Sequence, residues 1–224
     1  MTIRAKLGIT AVAAVAAIGL PLLVSWSRAA EAASKVPAAA LVAPAQGNRE
    51  VAVLAGGCFW GVEAVFEHVK GVSDVTSGFA GRSSKGASYA KVSTGGTGNA
   101  EAVRILFDPK QVSYAELLRI YFAVAHDPTE VNRQGPDVGP QYRSAIFPQS
   151  PAQAKVAAAY IAQLQRAHVF KRPVATKIES GGFAAAEAYH QDFMAKNPRH
   201  PYVVIHDRPK LAALKSQFPS RWKG

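Results

Sequence analysis

The chain's single cysteine, Cys58, lies in Gly56-Gly57-Cys58-Phe59-Trp60-Gly61. An apolar run (Val51, Ala52, Val53, Leu54, Ala55) stops just before it, and Val62, Val65, Phe66 and Val69 recur after it at helical spacing. The segment therefore reads as strand, glycine turn, helix, with Cys58 at or beside a helix N-terminus. Free backbone N–H groups and the helix dipole favour a thiolate there. The glycines permit a close backbone approach that a core cysteine does not need. Phe59 and Trp60 follow directly, so an activated sulfur would face an apolar wall, a pairing suited to attack on a small apolar or soft group. The alternative is an inert cysteine that fills core space.

Glu101 is the second residue with chemical promise. Residues 100–107 alternate cleanly, and Glu101 shares a face with Val103, Ile105 and Phe107. A carboxyl on an apolar face is costly to ionise, and one that keeps its proton is a ready general acid. The other reading is a carboxylate at a wet strand end. Tyr89 and Tyr142 lie in or beside the flanking loops, where a hydroxyl is either a donor to an oxygen gaining charge or ordinary amphipathic packing. Asp137, in Gly135-Pro136-Asp137-Val138-Gly139, fits a turn-stabilising aspartate. His190, in Tyr189-His190-Gln191, is a structural histidine before it is a base. No His/Cys/carboxylate cluster has metal-ligand spacing, so no metal is expected.

The elements that must hold these groups follow from periodicity. After the first helix, residues 72–79 read as a strand and 82–98 as a long glycine-rich loop. The strand 100–107 ends at Asp108-Pro109. Ser113, with Glu116 three residues on, caps a helix through Ala125. A polar Gly/Pro loop covers 126–140, and 142–147 is a short strand. Ser150 and Pro151 open an Ala-rich helix to about His168. A strand over 174–178, a helix over 184–196 and an irregular tail from Asn197 complete the reading. The core order β-α-β-β-α-β is the ferredoxin-like split pattern, an α+β two-layer sandwich, with the later helices and the tail wrapped around it.

The termini and composition bound the setting. Arg4 and Lys6 precede an uncharged apolar stretch, 7–26, and small residues follow around Ala30-Glu31-Ala32. Residues 1–33 are thus expected to be a bacterial-type signal peptide or, uncleaved, an N-terminal membrane anchor. Residues 34–48 read as an Ala/Pro-rich linker, and 49–224 as one catalytic domain. Either leader implies export to the periplasm or cell envelope. A lone cysteine forms no intrachain disulfide, and in an oxidising compartment it is a liability unless used. The formal charge of +11 comes from scattered Lys and Arg with no dense basic stripe. It reads as a solubilising surface, with no nucleic-acid partner and membrane contact only through the N-terminal segment.

Taken together, the motifs resemble those of the A-type peptide methionine sulfoxide reductases. The resemblance is carried by Gly57-Cys58-Phe59-Trp60-Gly61, Thr97-Gly98-Asn99-Ala100-Glu101-Ala102-Val103 and His126-Asp127-Pro128-Thr129. It continues through Asn132-Arg133-Gln134-Gly135, Asp137-Val138-Gly139-Pro140-Gln141-Tyr142-Arg143-Ser144 and Ala186-Glu187-Ala188-Tyr189-His190-Gln191. These run in order over nearly the whole domain, from about Val51 to Tyr202.

The resemblance implies reduction of the S epimer of methionine sulfoxide, protein-bound and free, without metal or organic cofactor. It assigns attack on the sulfoxide sulfur to Cys58, the proton to Glu101, and the hold on the oxygen to Tyr89 and Tyr142. Phe59 and Trp60 cradle the S-methyl group, Tyr202 and Phe193 extend the pocket, and Asp137 orients the site. Methionine leaves, and Cys58 becomes a sulfenic acid. Many family members resolve that acid with a second cysteine. Here Ser93 stands at the loop position and the tail has none, so an external thiol such as a thioredoxin-like protein or glutathione must recycle Cys58. Asn99 replaces a usual histidine, and Phe79 and Phe193 replace tyrosines. The expected role is repair of oxidised exported proteins by a monomer. The competing readings are a thiol peroxidase, which has no use for a methyl pocket, and a non-catalytic envelope binding module with an inert Cys58.

Overall fold

The computed structural model describes residues 36–224; the leader over 1–33 lies outside the described residues. The chain runs β1 (Glu50–Gly56), α1 (Phe59–Glu67), β2 (Val72–Gly81), α2 (Tyr89–Val92) and β3 (Ala100–Phe107). Helix α3 (Tyr114–Ile120) continues into a π-helical turn (Tyr121–Ala125), and a small hairpin follows, β4 (Arg133–Gln134) and β5 (Asp137–Val138). A 3-10 turn (Pro140–Tyr142) leads into β6 (Ser144–Phe147), α4 (Pro151–Arg166), β7 (Lys177–Ile178) and β8 (Gly182–Ala185). The chain ends through a 3-10 turn (Ala188–His190), α5 (Phe193–Lys196), a π-helical turn (Val203–Asp207) and α6 (Arg208–Gln217).

The main sheet has the order β7-β6-β1-β3-β2-β8. Its central four strands, β6-β1-β3-β2, are antiparallel throughout, and with α1 and α3 as the connecting helices they form the expected ferredoxin-like α+β core. Alternation sorts the faces. Ala52, Leu54, Phe79, Val103, Ile105 and Phe107 pack with Phe66, Leu117, Leu118 and Phe122 on the helix-covered side. Ala55, Ala80, Ala100, Ala102 and Ala145 form a second buried layer on the opposite face. Both predicted caps are present: Ser113 Oγ accepts from the Glu116 N–H at 3.1 Å and Ser150 Oγ from the Gln153 N–H at 3.2 Å.

Several expectations are corrected. The segment expected as a helix over 184–196 is instead strand β8, a 3-10 turn and the one-turn α5, because β2 needs an edge partner and 182–185 supplies its ladder (Gly78↔Ala185, Gly81↔Gly182). The tail beyond Asn197 is largely helical, since Leu214 and Phe218 bury one of its faces. The loop over 82–98 contains α2, and the strands expected over 142–147 and 174–178 shorten to β6 and β7. From Val36 onward the stretch expected as a linker has no regular secondary structure, yet it is docked on the helices. The Tyr160 hydroxyl donates to Pro37 O at 2.6 Å, Arg119 Nε donates to Val36 O at 3.0 Å, and Gln163 binds both Ala38 O and the Ala40 N–H.

Strand register brings the chemistry to one end of the sheet. Gly56 pairs with Ser144, Ala80 with Ala100 and Phe79 with Glu101. The exits of β1 and β2 therefore meet the entrances of β3 and β6, and Cys58, Glu101 and Tyr142 converge there.

Candidate active site

Cys58 is the N-cap of α1, buried with 8% exposure. The turn before it depends on glycine. Gly57 has φ +88°, and a Cβ there would come 2.5 Å from Gln134 Cγ. The hairpin residue Gln134 thus closes over the turn. From below, the Tyr121 hydroxyl donates to Ala55 O at 2.7 Å and meets Ser144 Oγ at 2.9 Å. His126 Nε2 and Thr176 Oγ1 each lie 2.7 Å from the same Ser144 oxygen. Burial pushes His126 down to about 3, so the whole network under the nucleophile's loop is uncharged.

Glu101 is 2% exposed, on the helix-covered face as strand alternation requires, and the Phe59 N–H donates to its Oε2 at 3.1 Å. Burial raises its carboxyl from 4.5 to about 8; the Phe59 N–H opposes that rise and Asp137 adds to it. Glu101 accordingly carries its proton at neutral pH. Cys58 departs from expectation. Burial first, and then the negative charges of Glu101 and Asp207, hold the thiol well above 9.0, although the Trp60 backbone N–H and the Lys210 ammonium pull it down. A helix N-terminus at a dry site does not by itself make a thiolate. The resting pair is an uncharged thiol beside an uncharged acid.

The aromatic wall is built around Trp60. Its Nε1–H donates to His190 Nδ1 at 3.1 Å, Phe193 stacks on its face at 3.6 Å and 8°, and Tyr202 meets it edge-on at 5.9 Å. Phe59 lies 5.0 Å from the His190 ring and 5.8 Å from Phe79. His190 is therefore the structural histidine expected: burial lowers it and it holds the indole. Phe193 backs the Trp60 indole. The Tyr202 hydroxyl donates a short hydrogen bond to Asp137 Oδ2, which ties the hairpin to the C-terminal segment. Tyr89 lies 4.5 Å from the His190 ring. Burial, then Glu101, raises the hydroxyls of both Tyr89 and Tyr142, so both remain proton donors.

Glu101, Tyr89, Tyr142, Asp137 and Tyr202 thus share one electrostatic environment with Cys58, and Phe59 and Trp60 wall it. Sequence reasoning missed three contributors: Gln134, and the pair Asp207 and Lys210, whose Oδ1 and Nζ lie 3.2 Å apart against Gly61 of α1. The available signal was Gly61 itself, because a Cβ there would strike both. Among the described residues, no group of three or more His, Cys, Asp or Glu side chains is arranged to hold a metal.

The family model for peptide methionine sulfoxide reductase matches residues 50–222. The chain belongs to that family. It is 54% identical over 175 residues to "Peptide methionine sulfoxide reductase MsrA 2" of Synechocystis sp., covering 78% of this chain and 82% of that protein. It is 52% identical over 172 residues to the protein of the same name from Mesorhizobium japonicum, covering 76% and 88%. Among solved structures it resembles reduced Mxr1 of Saccharomyces cerevisiae (TM-score 0.62, 32% identity, 72% of this chain and 92% of that one). It also resembles methionine sulfoxide reductase A of Corynebacterium diphtheriae (TM-score 0.58, 33% identity, 69% and 78%). Enzymes of this family use thiol reductants and need no prosthetic cofactor.

Proposed function

We propose that the protein reduces methionine S-sulfoxide to methionine, with Cys58 as nucleophile and Glu101 as acid. The observation that carries this reading is the juxtaposition of a buried, protonated Glu101 with Cys58 through the Phe59 N–H. A sulfoxide is a poor electrophile until its oxygen is protonated or strongly hydrogen-bonded. Glu101 gives its proton to that oxygen while the Tyr89 and Tyr142 hydroxyls hold it. The Cys58 thiol loses its proton to the carboxylate so formed, and its sulfur attacks the sulfoxide sulfur. The oxygen passes to the Cys58 sulfur as the S–O bond of the substrate and the new sulfur–sulfur bond break, and methionine leaves. Cys58, oxidised by two electrons, retains the oxygen as a sulfenic acid. Phe59 and Trp60 take the S-methyl group, and Asp137 with Tyr202 keeps the hairpin and tail in register around the site.

With one cysteine in the chain, the sulfenic acid is recycled from outside. A thiol attacks Cys58, water leaves and a mixed disulfide forms; a second thiol then frees Cys58 and carries away the disulfide. A thioredoxin-like dithiol supplies both equivalents. The basic start and the apolar stretch 7–26 support export, with repair of oxidised exported proteins by a monomer as the biological role.

The test exposes the reduced protein to one equivalent of methionine S-sulfoxide, or of hydrogen peroxide, and traps the product with dimedone. A dimedone adduct on Cys58 that forms with the sulfoxide, alongside free methionine, supports the reductase. An adduct formed with peroxide alone would make it a thiol peroxidase.

A further inference from the structure

The turn that carries Tyr142 is tied to the rest of the site by one guanidinium. Arg143 Nε and Nη2 donate to Glu179 Oε1 and Oε2 at 2.9 and 2.8 Å, a fork on a single carboxylate. The same Nη2 donates to Gly98 O at 3.0 Å, and Nη1 donates to Pro140 O at 2.8 Å. The guanidinium thus joins three separate segments. Pro140 opens the 3-10 turn that ends at Tyr142, Gly98 lies three residues before Glu101, and Glu179 directly follows β7. The anchor is itself fixed, because the Glu179 N–H donates to Ile146 O of β6 at 2.9 Å. Both side chains are sheltered, with 11% exposure for Arg143 and 26% for Glu179.

A sheltered ion pair is weak evidence for stability, since desolvating both charges offsets much of their attraction. A planar fork does fix geometry, in a way that a lysine's point charge does not. The Arg143 hydrogen bonds hold the Glu179 carboxyl below its ordinary value, so the pair stays ionised at neutral pH. The geometry it fixes is that of the oxygen-holding groups. Tyr142 is half-buried and offers its hydroxyl to the substrate oxygen, so its own backbone must locate it. That backbone turn packs on β3. The Arg143 bonds to Pro140 O and Gly98 O set the turn against the entrance of β3, where Glu101 sits. The hydroxyl and the acid serve the same oxygen, and a misplacement of ~1 Å between such groups costs up to about 10²-fold in rate.

We propose that Arg143, anchored by Glu179, is a positioning residue that sets Tyr142 against Glu101 around the sulfoxide oxygen. It acts on the substrate only through the turn and the β3 entrance that it joins. The proposal rests on the reductase reading, in which Tyr142 and Glu101 serve that oxygen, and its test separates the failure of one from the failure of the other.

The test is a double-mutant cycle in the full chain over the parent, Arg143→Lys, Tyr142→Phe and the double variant. It reads the single-turnover rate of methionine formation and the half-saturating concentration of methionine S-sulfoxide. Arg143→Lys is expected to lower the saturated rate about tenfold and to leave half-saturation unchanged. In the Tyr142→Phe background, which has no hydroxyl to place, the same substitution is expected to cost less than about twofold. If Arg143→Lys does not fold, Glu179→Gln keeps one acceptor for the fork and carries the same non-additivity with a smaller loss. Equal losses in the two backgrounds, or a folded Arg143→Lys protein with the parent's kinetics, overturn the proposal and leave the reductase reading intact. A parent protein that forms no methionine overturns the reductase reading and the proposal with it.

Discussion

The Phe59 amide N–H donates to Glu101 Oε2 across 3.1 Å, which ties the buried acid to the residue next to Cys58. The bond joins the first turn of α1 to the entrance of β3, elements far apart in sequence. Any shift of the helix start carries the nucleophile and its acid together. The same bond opposes the effect of burial on the carboxyl without cancelling it. Four expected outcomes follow from this arrangement and its supports.

Glu101→Gln keeps an acceptor for the Phe59 N–H but has no proton to give. The single-turnover rate of methionine formation is expected to fall ~10²–10⁴-fold, the usual worth of a positioned acid, while the substrate still binds. Rapid-quench measurement under saturating sulfoxide decides this. A loss of less than threefold would remove Glu101 from its assigned role.

Glu101 also links stability to pH. Its folded value, about 8, lies above the ordinary 4.5, so the folded state holds a proton that the unfolded state releases between those limits. The stabilisation is fully present below about 4.5 and is lost as pH rises through about 8. Glu63, raised to about 8 by burial, adds a slope of the same sign. Thermal melts from pH 5 to 9 should therefore show the protein losing stability toward pH 9 and Glu101→Gln losing less. Parallel melting curves for the two proteins would contradict the protonated carboxyl. Activity is expected to fall over the same upper limb, above about pH 8.

Phe193 stacks on Trp60, one of the rings that wall the pocket. Removing the ring in Phe193→Ala forfeits ~0.5–1.5 kcal/mol of aromatic contact and frees the indole. KM for methionine sulfoxide should rise up to about tenfold with kcat nearly unchanged. A fall in kcat at constant KM would place Phe193 in the chemical step instead.

The docked stretch before β1 contributes to the fold and not to the chemistry. Tyr160→Phe removes the hydroxyl that donates to Pro37 O, and Gln163→Ala removes the side chain that bridges Ala38 O and the Ala40 N–H. Each is expected to lower stability by ~1 kcal/mol, about 2–4 °C in Tm for a domain of this size, without altering turnover at 25 °C. Calorimetry of the two variants checks it. Unchanged Tm values would return the stretch to the status of a linker.

Much of this site is legible from local pattern alone. The glycine turn fixes Cys58 at a helix start, and strict alternation fixes the face of Glu101, because both are set by residues within a few positions. The thiol's protonation was misread, since the helix dipole is local information and burial beneath Gln134 and the C-terminal segment is not. The second half of β8, Ala184-Ala185, reads as the start of a helix because it has no strong β signal; its pairing with β2 comes from across the chain. The stretch beginning at Val36 lacks periodicity and docks largely through backbone atoms, which leave no trace in side-chain pattern. Helix α6 was readable in part, from Pro209 in its first turn and Leu211, Leu214 and Phe218 at helical spacing.

The central claim is that one cysteine and one buried acid reduce one epimer of a sulfoxide. The most direct measurement is single-turnover reduction of separated S- and R-methionine sulfoxide by the pre-reduced protein, with Cys58→Ser alongside. The account expects one equivalent of methionine from the S epimer, none from the R epimer, and none from the variant. Methionine from both epimers, or methionine that persists in Cys58→Ser, would contradict it.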